Sequence, residues 1–133
     1  MVKRKKVIII LAILLLIPLV AKYAPRNLSL SSSEVTRVNM LIFDGGKFYD
    51  FTDEETKKLV EYLSTCTIRK PLFNEIFIDN RQGRTGYIDI AGTGITIELG
   101  ELTYLTIHNE EYLFIDEELV KGDIENLITL INY

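Results

Sequence analysis

The chain has 133 residues, 47% of them hydrophobic, with one cysteine, no tryptophan and a formal net charge of −4. A single cysteine rules out an internal disulfide, and with it the small disulfide-stapled scaffolds of many secreted proteins. Charge is unevenly spread: Lys3, Arg4, Lys5, Lys6 and Lys22 hold five of the fifteen basic residues and no acid precedes Glu34, so residues 26–133 carry ten basic against nineteen acidic residues, net −9, which disfavours nucleic-acid binding.

The first element is the stretch "MVKRKKVIIILAILLLIPLVAKYAP". Val7 to Ala21 is an unbroken apolar run interrupted in type only by Pro18. A helix that packs in a soluble core keeps one polar face, and this one has none. A bilayer core takes about 20 mostly apolar residues. Extended to Ala24 the run is workable, because Lys22 can snorkel to the headgroups and Tyr23 suits the interface. The cluster Lys3, Arg4, Lys5 and Lys6 predicts a cytoplasmic amino-terminal side and a translocated remainder. The competing reading is a cleaved signal peptide, which leaves a secreted domain. Its cleavage site fits less well, since cutting after Ala24 puts Lys22 where a small residue belongs and Pro25 just beyond the cut. No cysteine follows the run, so lipid modification there is excluded.

The expected organisation is therefore a signal-anchor over 1–25, a polar tether over 26–34 ("RNLSLSSSE") and an extracytoplasmic α+β domain over 35–133. The serine-rich tether has the composition of a flexible linker. "VTRVNMLIF" and "KFYDF", joined by "DGGK", predict a β-hairpin. "TDEETKKLVEYLSTC" predicts a helix over 52–66, with Thr52 and Glu55 forming a capping box and Leu59, Val60 and Leu63 lining one face. Pro71 ends it.

From residue 74 the period becomes two. "EIFID", "TGYIDIA", "GITIEL", "LTYLTIH" and "EYLFID" read as five short strands, and their short connectors require antiparallel neighbours. Tyr87, Asp89 and Ala91 share one face while Ile88 and Ile90 share the other. "GDIENLITLINY" closes the chain as a helix capped by Gly122 or Asp123, with Ile124, Leu127, Ile128 and Ile131 on one stripe. The fold expected after the transmembrane helix is a two-layer domain, an antiparallel β-meander with two helices packed on one face.

The stretches "VTRVNMLIFDGGKFYDFTDEETKKLVEYLST", "GYIDIAGTGITIEL" and "EEYLFIDEELVKGDIENLITLIN" together resemble small signal-anchored or lipid-anchored ectodomains of Gram-positive bacteria, a largely uncharacterised group. The resemblance covers about residues 35–132 and rests on hydrophobic rhythm and turns. It implies an envelope-facing domain and transfers no catalytic residue.

Candidate chemistry is sparse. His108, the sole histidine, falls at a strand end before "NEE", the place of a surface turn residue. Cys66 with His108 would make a nucleophile and base, but a thiol at a helix carboxyl end sits at the negative pole, which opposes thiolate formation. "GTGITIELG" lacks the Lys-Ser/Thr pair and following helix of a phosphate loop. "DNRQGRTGYID" puts Arg81 and Gly83 where calcium needs oxygen ligands. Asp89 and Glu98 on neighbouring strands suggest the alternative of a small carboxylate-based envelope hydrolase.

The densest cluster is acidic. Glu110, Glu111, Asp116, Glu117 and Glu118 form a candidate docking face for a basic protein or peptide and, more weakly, a divalent cation; the alternative is a solvated surface that keeps the domain soluble. No motif calls for a cofactor. The function expected is a membrane-anchored, non-enzymatic binding or interaction module.

Overall fold

The computed structural model describes residues 2–71 and 83–131. The predicted strand "EIFID" (75–79) lies outside the described residues.

Helix α1, Val2–Tyr23, opens the chain, and two residues later strand β1, Arg26–Asn27, begins. A hairpin of β2 (Arg37–Ile42) and β3 (Lys47–Asp50) follows. Its turn is a short 3-10 segment, Asp44–Gly46, in which Gly45 and Gly46 have φ of 80° and 60°. Side-chain-bearing residues rarely adopt those angles, which accounts for the glycine pair. Helix α2 runs Asp53–Leu63 and β4 Thr67–Arg69. The meander comprises β5 (Arg84–Ala91), β6 (Ile95–Gly100), β7 (Tyr104–Ile107) and β8 (Glu110–Phe114), and α3, Glu117–Ile131, comes last.

The eight strands among the described residues form one antiparallel sheet in the order β1-β4-β8-β7-β6-β5-β2-β3. The meander is its centre, with the β2–β3 hairpin added beside β5 and the short β4 and β1 added beside β8. Ile88, Ile90, Ile97 and Leu105 point to one side and form a single core with Leu59 and Leu63 of α2 and Val120 and Ile124 of α3. The α+β class, the two helices after α1 and the antiparallel sheet agree with the sequence. So does the capping box: the Glu55 amide donates to Thr52 Oγ1 at 3.2 Å and the Thr52 amide to Glu55 Oε1 at 3.0 Å.

Three local expectations are corrected. The stretch 26–34 does not begin as a free linker: Arg26 and Asn27 pair with Ile68 and Thr67, and Leu28 is only 3% exposed. An apolar side chain two residues past the first ladder pair draws the segment into the core. Helix α2 stops at Leu63, so Cys66 follows it rather than ending it. Helix α3 starts five residues before the predicted cap. The Val120 amide donates to the Asp116 carbonyl at 2.9 Å, and Glu117 and Glu118 suit the positive end of the helix dipole. Gly122 and Asp123 therefore lie inside the helix.

Candidate functional site

Helix α1 is apolar on every side. Within Lys3–Tyr23 an 18-residue window has a mean hydropathy of 2.4, and no residue of that window is buried against the rest of the chain. The cluster Lys3, Arg4, Lys5 and Lys6 occupies its first turns, while Lys22 and Tyr23 end it with the ammonium 5.6 Å from the ring centre.

The corner where α1 meets the sheet concentrates charge on an aromatic. The Arg26 guanidinium lies 4.8 Å and the Lys70 ammonium 5.7 Å from the centre of the Tyr112 ring. Lys70 Nζ also donates to Glu110 Oε2 at 3.0 Å, which holds the Lys70 pKa above and the Glu110 pKa below their ordinary values. Lys22, Tyr23, Lys70, Pro71, Glu110 and Glu111 line a shallow groove there.

On the helix side, a cleft of about 370 Å³ brings together Pro25, Tyr62, Cys66, Asp116, Leu119 and Asp123. The Tyr62 hydroxyl donates to Asp123 Oδ2 at 2.7 Å and ties α2 to α3. Burial, and then this bond, push the Tyr62 phenol well above its usual range. Burial also raises the Cys66 thiol, which donates to the Tyr62 carbonyl at 3.6 Å. A thiol held protonated is a poor nucleophile. His108 lines a different cleft, with Arg26, Leu28 and Ile68, at the exposed two-residue turn His108–Asn109. The Cys66–His108 combination of the sequence is thus not brought into one cleft.

The acidic residues are divided by the length of β8. Glu110 and Glu111 stand at its start, Glu110 already engaged by Lys70. Asp116, Glu117 and Glu118 lie beyond its end, where Glu117 accepts from the Thr103 amide at 2.9 Å. Among the described residues no group of three or more His, Cys, Asp or Glu side chains is arranged to hold a metal ion. Of the carboxylate pair, Glu98 is ion-paired to Arg84 and Asp89 accepts from Thr96 Oγ1 at 3.3 Å.

The far edge carries a feature that the sequence reading passed over. Phe43 and Phe48 are 45% and 60% exposed, Phe43 meets Tyr87 edge-on at 6.2 Å, and Arg84 lies 5.6 Å over the Phe43 ring. These residues come from the hairpin and from β5, so no local pattern joins them. The same holds for Tyr62 and Asp123, 61 positions apart. No protein-family model, no curated protein and no solved structure matches the chain.

Proposed function

We propose that this chain is a single-pass membrane protein whose α1 spans the bilayer with its basic end cytoplasmic, holding the α+β domain on the outer side as a binding module for a protein, peptide or envelope component. The observation that carries this reading is the uncovered apolar surface of α1. The twelve Val, Ile and Leu side chains from Val7 to Val20 are each more than half exposed, and leaving them in water is untenable, whereas hydrocarbon accommodates them. The four basic residues at the start of the helix favour the orientation. A binding role is supported by the exposed aromatics Phe43 and Phe48, since rigid aromatic side chains flanked by arginine are enriched at protein interfaces.

Protease added to intact cells tests the topology. Digestion of residues 26–133 before lysis, with α1 remaining in the membrane pellet after alkaline extraction, is expected. Protection until lysis overturns the reading. For the binding role, crosslinked products of the native chain should be lost on Phe43→Ser with Phe48→Ser; an unchanged pattern removes the aromatic patch as the binding surface.

A further inference from the structure

We propose that the β1–β4–β8 corner of the domain lies within the headgroup layer of the same membrane, with lipid phosphates as the ligands of Lys22 and Arg26. This rests on the anchored reading above.

The first argument is reach. Only Ala24 and Pro25 separate the last residue of α1 from the first of β1, so Tyr23 and Arg26 are at most about 11 Å apart on a fully extended backbone. The second is that the joint is locked. Arg26 and Asn27 are paired to β4, the Leu28 amide donates to the Cys66 carbonyl at 3.0 Å, and the Leu28 side chain is in the core. The domain cannot rise from the surface without unpairing β1 and exposing Leu28.

The third is chemistry. A domain of net −9 should be repelled by anionic headgroups, yet this corner sets Arg26 and Lys70 beside Lys22 of α1. The Lys70 ammonium is matched by Glu110. Lys22 and Arg26 remain, both exposed, with Arg26 stacked on Tyr112. A guanidinium stacked on a ring through its face keeps its edge donors for phosphate oxygens. Glu110 and Glu111 offset two of the four cations Lys22, Arg26, Arg69 and Lys70, so the recognised group is the phosphate shared by phospholipids rather than a highly anionic surface. Tyr23 and Tyr112 supply the amphipathic rings that such a boundary favours.

The chain has no tryptophan, so one introduced indole reports its own surroundings. Full-length Pro71→Trp, with Glu111→Trp as a second reporter on the groove, is reconstituted in vesicles of phosphatidylcholine and phosphatidylglycerol that carry a headgroup-attached nitroxide lipid. Either reporter should be quenched at least twofold more than Phe48→Trp, which stands on the opposite edge strand, about 24 to 29 Å away by strand spacing. Lys22→Gln with Arg26→Gln should reduce that quenching. Leu15→Trp with chain-brominated lipid reports insertion of α1 independently. Corner reporters no more quenched than Phe48→Trp, while Leu15→Trp is quenched, overturn the docking and leave the anchor standing. An unquenched Leu15→Trp overturns both readings. Quenching unchanged by the double glutamine variant overturns the phosphate contacts.

Discussion

The two edges of the sheet are held by different means. The far edge is a hairpin in which β2 and β3 pair over four consecutive positions and β2 pairs with β5 over six. The near edge has strands of two and three residues, too short to stand on their ladder bonds alone. It is secured instead by groups from elsewhere in the chain: Leu28 in the core, the Cys66 carbonyl, and the Tyr112 ring under Arg26 and Lys70. One edge is therefore specified by neighbouring residues and the other by tertiary contact.

Gly86→Ala should have the largest effect. A Cβ at Gly86 would sit 2.2 Å from the Leu41 carbonyl oxygen, so β2 and β5 must separate. A loss of about 3 kcal/mol is expected in denaturant unfolding of the detergent-solubilised chain. Amide exchange should rise first in β2 and β3; a uniform rise across β8 and β1 would dissolve the distinction between the edges. Leu28→Ala attacks the other side and should cost about 2 kcal/mol. Its exchange signature should centre on β1 and β4, and protection there equal to the native chain would show that the joint does not depend on Leu28.

Thr52→Ala sharpens the account of the far side, where the capping box starts α2 directly after β3. Loss of the hydroxyl acceptor should cost about 1 kcal/mol, while Thr52→Ser should retain most of it. The smallest effect is a pH dependence on the near side. The folded-state pKa values of Cys66 and Tyr62 lie above their reference values of 9.0 and 10.0. The folded chain therefore keeps protons that the unfolded chain has released, so this contribution to stability is constant below about pH 8 and falls as pH rises beyond it. The Tyr49 phenol, raised by its bond to Glu55, adds to the later part. Cys66→Ala should flatten the first part of that fall and Tyr62→Phe the later part; melting curves from pH 8 to 11 measure both.

The same division explains what the sequence made legible. Ile88 and Ile90 alternate with Tyr87 and Asp89, so β5 and its register could be read locally, as could the Thr52–Glu55 box. Serines 29 and 31–33 gave residues 26–34 the composition of a linker, and nothing local reveals that Leu28 reaches the core beside Cys66. Asp123 invited a cap reading because aspartate suits a helix start, yet it lies inside α3. Its actual partner, Tyr62, is on another helix. The acidic cluster is dense in sequence, yet β8 carries its two halves apart and Lys70 and the Thr103 amide engage one member of each. The aromatic patch and the cation-stacked corner are long-range assemblies, beyond the reach of periodicity.

Cys66 is the only thiol in the chain and is 6% exposed. It is in effect a sealed label. A maleimide dye added to the folded protein would mark a copy only while that part of the structure gapes, so the dyed fraction counts breathing events on native molecules with no engineered tag. An oxidising milieu, likewise, cannot join two copies through this sulfur until one of them has been prised open.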